Sequence, residues 1–412
     1  MKILLVNKFH YRKGGSETYY FALADALRRA GHEVIFFAME SEKNLPCEQA
    51  DYFVSGVDYN GPQSVADKIK NGVKLLYSTE AKKKFAALLA SEKPDVVHLN
   101  LVHRQITLSV VDACKEAGVP VVFTQHDLIC VCPNYLCLSE EGVCEDCLSG
   151  SFVPCVKKRC VKGSRAKSLL GAAEAVLYRK RGTYHKIDCY ITPSKFHSEM
   201  LKKGNFTSSE IRHIPNFLPY GTQFEKKAPV EGAGLLFLGR LSKEKGLETL
   251  LRAMALAADA TLKIAGDGPQ RTELEKLAEA LGLSERVEFL GFLTGNALTE
   301  QLERCKAVVL PSECYENAPY SVMEAMASGK PVLGSRIGGV PELVQDGKTG
   351  FLFRPGDAED QARAIRALCA LDEAAYGEMC SNAVRFAAAE LTEESHLAKL
   401  IPVYEKLIKK NA

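Results

Sequence analysis

Two glutamates, Glu316 and Glu324, stand eight positions apart in the run Cys314-Tyr315-Glu316-Asn317-Ala318-Pro319-Tyr320-Ser321-Val322-Met323-Glu324. A carboxylate pair can work as acid and base across one bond, but its members then sit roughly 5–9.5 Å apart. Were all eight steps helical, these two would be separated by about 12 Å of rise. That spacing suits contacts to different parts of one long polar ligand. Ala318-Pro319 marks the start of a helix, with proline near its first turn. A helix start offers N–H groups and the positive end of the helix dipole, both of which favour phosphate. The N–H groups of Asn317, Ala318 and Tyr320 are the candidate donors, because Pro319 has none. A random pair of this kind would more often be two solvated helix glutamates. The flanking Pro311-Ser312-Glu313 and Gly329-Lys330-Pro331-Val332 weigh against that reading.

Other residues fit the same kind of ligand. Arg240 and Lys245 are five positions apart in a loop that follows an apolar run and contains glycine and serine. Two such cations can neutralise a diphosphate, arginine bidentately and lysine as a point charge. Without that ligand they would be a solvated loop pair. Gly14 and Gly15 close the loop after the first strand, and Gly15 lets backbone approach a phosphate with no side chain in the way. His126, in Gln125-His126-Asp127, follows another apolar run; a polar residue at the carboxyl end of a parallel strand faces the ligand side of the sheet. A lone histidine is more often structural, and His126 stands out by this position. His98 and His103 lie at a further strand end and its loop.

Fourteen cysteines are many for a chain with no secreted character, and seven of them fall between Cys130 and Cys160. Cys144-x2-Cys147 has the spacing of a zinc knuckle, preceded by Cys132 and followed by Cys155 and Cys160. Four of these thiolates would close a structural zinc site, which would stiffen the loop that begins four residues after His126. Reduced thiols, disulfides and an iron–sulfur cluster are the alternatives.

The elements that must hold these residues follow from patterning. The chain of 412 residues is long enough for two full cores, and 46% hydrophobic with 25% charged residues is ordinary for a globular protein. Buried runs at Ile3–Val6, Val34–Ala38, Asp95–Leu99, Pro120–Thr124 and Asp188–Thr192 alternate with helical segments, the first capped by Ser16 and ended by Gly31. A second series begins at Gly234–Gly239 and continues through Thr261–Gly266, Val287–Leu290, Ala307–Leu310 and Pro331–Gly334, after a soft stretch at 223–232. The expectation is α/β: two doubly wound, Rossmann-like domains whose ligand lies beyond the strand ends, in the cleft they share. Glu393–Lys410 carries Leu397, Leu400, Ile401, Tyr404, Leu407 and Ile408 at helical spacing and reads as a helix packing on the body.

A net charge of +2 excludes a general polyanion binder. The charge is uneven, however. Residues 151–187 hold ten lysines or arginines against Glu174 alone, +9 locally, so the rest of the chain nets −7 against the total of +2. With Leu169, Leu170, Ala173, Val176, Leu177 and Tyr184 on an apolar side, this segment reads either as a solvated face or as a contact to an anionic membrane surface. No aromatic-interleaved basic module points to nucleic acid. Met1–Asn7 reads as a first strand, not a secretory leader, and no run of about 18 apolar residues would span a membrane. A cytoplasmic protein, peripheral on the inner membrane face at most, is expected.

Taken in order, the pieces resemble retaining glycosyltransferase family 4, which has the GT-B fold and an E-x7-E signature. Glu316 to Glu324 is similar to that signature. Phe237 to Gly246 is similar to the family's donor-phosphate segment, Ile264 to Pro269 to its glycine turn, and Val287 to Leu293 to its base-contacting strand and loop. Ile214-Pro215-Asn216 is similar to its domain linker, and Gly14-Gly15 to its first phosphate loop. A subset of the family shows a similar cysteine-rich insert. The resemblance covers essentially the whole chain.

The resemblance implies an acceptor-binding domain over 1–215 with the insert at 130–160, a nucleotide-sugar-binding domain over 216–390, and a terminal helix over 391–412 that crosses back to the first domain. It implies transfer of a sugar, with retention, from a nucleotide sugar (UDP-linked favoured) to a hydroxyl of a glycan or lipid-linked acceptor, in cell-surface polysaccharide or glycolipid assembly. His126 and Glu316 would be catalytic. Gly14, Gly15, Arg240, Lys245, Gly268, Leu293, Glu316, Asn317, Ala318 and Glu324 would hold the donor, with Glu324 on the ribose. His98 and His103 are acceptor-side candidates. No DxD-type motif stands where a diphosphate-bound cation would be needed, so the chemistry is expected to need no metal, and any zinc would be structural. Two alternatives stay open: a sugar-nucleotide epimerase of the same fold, and a non-catalytic scaffold with a zinc knuckle.

Overall fold

The computed structural model describes residues 1–56, 72, 74–228, 232 and 234–411 of the chain. Residues 229–231, in the expected soft stretch, lie outside them. Two compact units are formed, one from Met1–Tyr220 with Glu393–Ala412, the other from Gly221–Thr392.

In the first unit, the strands are β1 (Lys2–Val6), β2 (Glu33–Phe37), β3 (Val96–Leu99), β4 (Val121–Thr124), the short β5 (Leu138–Ser139) and β6 (Gly142–Val143), β7 (Cys189–Thr192) and β8 (Glu210–His213). Six of them make one sheet in the order β2-β1-β3-β4-β7-β8, with every pair parallel. Every residue of β3, β4 and β7 is buried, as is β1 from Ile3 onward, because helices cover both faces of such a sheet. The strand order reverses between β1 and β3.

The second unit repeats the plan with β9 (Leu235–Leu238), β10 (Leu262–Ala265), β11 (Val287–Gly291), β12 (Ala307–Leu310), β13 (Val332–Ser335) and β14 (Gly350–Phe353), in the order β11-β10-β9-β12-β13-β14. Its core includes Phe237, Leu250, Leu251, Ile264, Val309 and Leu333. Here the reversal lies between β9 and β12. The two doubly wound sheets expected from the patterning are therefore present.

Some local expectations change. The first helix runs Gly15–Arg29 with Gly14 in the cap position, and Ser16 is already inside it without capping. Thr18 instead bonds back to the Gly14 carbonyl through both its N–H and its hydroxyl. Strands β8 and β14 went unanticipated. Both are edge strands, and Glu210-Ile211-Arg212-His213 carries charge while Gly350-Phe351-Leu352-Phe353 opens on glycine.

The terminal helix Glu393–Asn411 belongs to the first unit and buries His396, Leu400, Val403, Tyr404 and Leu407. Two histidine–tyrosine pairs fix it. Tyr404 hydroxyl bonds His98 Nδ1, whose Nε2 meets Thr124 Oγ1 at 2.7 Å. His396 Nδ1 donates to the Pro215 carbonyl at 2.7 Å, so its Nε2 accepts from Tyr19 hydroxyl at 3.2 Å. Phe217 packs on the His396 ring at 4.5 Å between centroids. That packing carries the first unit to Tyr220, five residues past the expected end at Pro215.

All nine histidines of the chain lie in the first unit. Burial holds six of them neutral, with His98, His103, His126 and His197 pushed down to about 3 and His10 and His396 to about 4. A histidine whose pKa is depressed by folding contributes stability that is fully present above about 6.5, its ordinary value, and lost as pH falls toward the folded value. Glu174 in the same unit and Glu324 in the second, both raised to about 7 by burial, act in the opposite sense as pH drops from 7 to about 4.5. Six rings outnumber the carboxyls raised by burial, Glu174, Glu324 and Asp127, and leave a net loss as pH falls from 7 to 5. Calorimetry should show a falling melting temperature between pH 7 and pH 5, with hydrogen exchange locating the first loss of protection in Met1–Tyr220. Equal protection of both units at pH 5 would contradict this.

Candidate active site

The second unit assembles its polar cluster where its strand order reverses. Arg240 leaves the carboxyl end of β9 and is exposed. Lys245 closes the short turn Lys243–Lys245, after which Gly246 takes φ of +68°. A Cβ on Gly246 would stand 2.1 Å from the Pro311 carbonyl oxygen, so only glycine lets this turn lie against the end of β12. From that strand end, Ser312 and Glu316 face the turn. Lys245 Nζ donates to Glu316 Oε1 at 2.6 Å, and Ser312 Oγ donates to the same oxygen at 2.5 Å. Burial alone would raise the Glu316 pKa, but the Lys245 charge and the hydrogen bonds from Lys245 and Ser312 outweigh it, so the carboxyl is held below its usual value. Lys245 is likewise held charged against its own burial by Glu316.

The helix after this loop runs Tyr320–Ala327, with Pro319 at its cap. Only the four steps from Tyr320 to Glu324 are therefore helical, about 6 Å of rise, and the four before them form a bend. Asn317 and Ala318 sit in that bend, half-buried. Glu324 is inside the helix, and burial pushes its pKa up to about 7. The Glu316 carbonyl accepts from Gly339 N–H at 2.7 Å, and a Cβ on Gly338 would fall 2.3 Å from that same oxygen. Gly268 follows β10, its N–H bonded to Asp267 Oδ1 at 2.7 Å, and Leu293 lies half-buried after β11.

In the first unit, His126 follows β4 and Asn100 follows β3. Asn100 Nδ2 is turned to the Val6 carbonyl, which presents Oδ1 to His126 Nε2 at 2.9 Å. The proton of a neutral His126 is thereby placed on Nε2. Tyr19, on the helix that starts at Gly14-Gly15, meets the His126 ring edge-on at 5.1 Å. Behind Gly14 and Gly15, Glu17 is buried and accepts from Asn7 Nδ2 at 3.2 Å. His98 and His103, expected near an acceptor, are core residues instead. His98 is fully buried between Tyr404 and Thr124, and His103 is stacked on Phe123.

The cysteine segment departs from its expected ligand set. Cys144 Sγ accepts from Lys158 Nζ at 3.7 Å, beside Asp146. Cys137, absent from that set, lies beside Cys132, as does Cys147, and hydrogen bonds from both thiols favour the Cys132 thiolate. Cys155 neighbours Cys160. All fourteen cysteines are free thiols, and among the described residues no three His, Cys, Asp or Glu side chains converge to hold a metal ion. Of the expected set, Cys132 and Cys147 lie side by side, whereas Cys144 is turned to Lys158.

Residue patterning missed Ser312 and Asn100 as site members, and Tyr19 and His396 as their supports. Ser312 and Asn100 both follow strand ends, the same position that singled out His126. Phe292, 76% exposed beside Leu293, was also passed over.

Two family descriptions match in sequence. Glycosyltransferase Family 4 covers residues 13–219, and glycosyl transferases group 1 covers 222–385. Sulfoquinovosyl transferase SQD2 of Arabidopsis thaliana is 39% identical over 137 residues, 32% of this chain and 26% of that protein. Lipopolysaccharide core biosynthesis glycosyltransferase LpsE of Rhizobium meliloti is 33% identical over 166 residues, 39% of this chain and 48% of that one. The matched stretch spans about a fifth to a half of the first curated relatives. In structure, sucrose-phosphate synthase from Thermosynechococcus elongatus superimposes with a TM-score of 0.70 at 22% identity, over 99% of both chains. HepE of Anabaena in complex with UDP gives 0.70 at 20% identity, over 99% of this chain and 100% of that one. Those likenesses give the fold, which is GT-B, and with the first family description spanning half of its length, the chain belongs to glycosyltransferase family 4.

Proposed function

We propose that the protein is a retaining glycosyltransferase that moves a sugar from a nucleotide sugar, UDP-linked in preference, to a hydroxyl of a glycan or lipid-linked acceptor. The carrying observation is the ionised Glu316 held by Lys245 and Ser312 at the strand reversal of the second unit, with Glu324 inside the helix that follows. Ligands of doubly wound sheets bind beyond the carboxyl strand ends at this reversal. UDP in the complex of HepE supports the choice of nucleotide.

In this reading the diphosphate lies against Arg240, Lys245 and the start of the helix Tyr320–Ala327, which together supply the positive charge. Glu324 takes ribose hydroxyls, and Glu316 contacts the transferred sugar near its reacting carbon. The acceptor belongs to the first unit, and the family resemblance gives His126, with its Asn100-fixed tautomer, a catalytic role there. The acceptor oxygen bonds to the anomeric carbon on the face the nucleotide leaves, the carbon–phosphate-oxygen bond breaks, and the departing phosphate takes the acceptor's proton. Configuration is retained because attack and departure share one face.

Glu316→Ala and Lys245→Ala should each lower turnover by about 100-fold or more, since each removes charge stabilisation at the reacting centre. Wild-type turnover in Glu316→Ala would sink the assignment, and consumption of a UDP-sugar with no acceptor present would indicate an epimerase instead. Thermal shift with UDP-, GDP- and ADP-sugars will rank the donors.

Glu324 titrates near 7, and its carboxylate is the form that accepts from the ribose. Donor affinity measured by calorimetry should therefore rise from pH 6 to pH 8. In Glu324→Gln it should be weaker by about tenfold and flat with pH. A wild-type profile that is flat or falls would exclude the ribose role.

Because protein cations serve the diphosphate, activity should be unchanged in excess EDTA. A loss restored by magnesium would show that a metal is required.

A further inference from the structure

The helix Arg165–Lys180 turns Ser168, Ala172, Ala175 and Tyr178 into the first unit. Its opposite stripe is unusual. Leu169 is 60% exposed and Val176 39%, and they lie between the exposed Arg165 and Lys180 at positions i, i+4, i+11 and i+15. The stripe is about 22 Å long. The short helix Val153–Lys157 packs beside it and adds Val153, 55% exposed.

Not all of the local positive charge is available there. Lys158 is engaged by Glu141 and Asp146, and Arg181 and Lys186 both bind Asp112. Glu174 is buried against Arg104. Arg179 is half-buried against Phe152 and the Gly204 carbonyl. The exposed cations left without a carboxylate partner among the described residues are Lys157, Arg159, Lys162, Arg165, Lys167 and Lys180, and they belong to this same pair of helices and the turn joining them. Six exposed cations therefore remain unpaired by carboxylates on the two helices that carry the exposed aliphatic side chains and on the turn between them.

We propose that this face, centred on Leu169 and Val176, is a docking surface for an anionic lipid bilayer. Aliphatic side chains between cations match acyl chains beneath acidic headgroups, while long basic side chains at both ends reach the headgroup level. No described helix is long and apolar enough to cross a membrane, so the contact is interfacial. A nucleic acid would instead favour exposed rings for stacking, and the stripe has none.

The test is co-flotation of the full chain with vesicles of phosphatidylcholine alone and with about one third phosphatidylglycerol. Binding is expected only to the anionic vesicles, falling steeply as salt rises. The pair Arg165→Glu with Lys180→Glu should weaken partitioning at least about tenfold, and so should Leu169→Gln with Val176→Gln. All four side chains are on the exposed face, so circular dichroism melts should match wild type. Absence of binding to anionic vesicles would overturn the proposal. So would binding that the leucine and valine changes leave untouched, which would point to a soluble polyanion held by charge alone.

Discussion

The second unit is organised around one contact, a glutamate kept ionised by a single ammonium group. Glu316 and Lys245 come from the ends of neighbouring strands, β12 and β9, on the two sides of the strand reversal. Placing a carboxylate there is costly unless an opposite charge and a hydrogen-bond donor accompany it. Lys245 and Ser312 supply both. The backbone around them is equally constrained: Gly246 lets the lysine turn approach β12, and Gly338 leaves room for the Glu316 carbonyl to be held from behind. The pair lies at the strand reversal, and Arg240 leaves β9 exposed.

The first unit solves a different problem. Six of its histidines are kept neutral by burial, while buried carboxylates such as Asp112 are paired with cations. His126 is the case that bears on function. Its proton is directed to Asn100, its ring is edged by Tyr19, and burial keeps it uncharged.

The sequence was readable where burial is complete and unreadable where contacts are long-range. The inner strands of both sheets are mainly apolar runs, interrupted by His98 in β3 and Lys263 in β10, and they stand out as such. The edge strand β8 does not, because none of its four residues is fully buried, and β14 is a short run that opens on glycine. Lys245, Glu316 and His126 could be picked out by type and by their place after strands. The partners that tune them could not, since Lys245 is 71 residues from Glu316 and Asn100 is 26 from His126. His98 misled because a strand-end position was read as exposure, whereas Tyr404, 306 residues away, covers it. Spacing did not single out Cys137. Tyr135 and Cys137 adopt left-handed backbone, with φ of 57° and 48°, and this turn brings Cys137 in toward Cys132 while Cys144 goes to Lys158.

The terminal helix has a consequence for how the protein is made. Glu393–Asn411 supplies Tyr404 to His98 and His396 to Tyr19, yet it leaves the ribosome only after the whole second unit has been translated. Until then the surface it covers, including the fully buried His98 and Tyr19, has no partner. The first unit is thus the first to be synthesised and the last to be completed. A chain that stops before residue 393 would contain a finished second unit and an unfinished first one, with apolar and histidine-lined surface left open to chaperones and proteases.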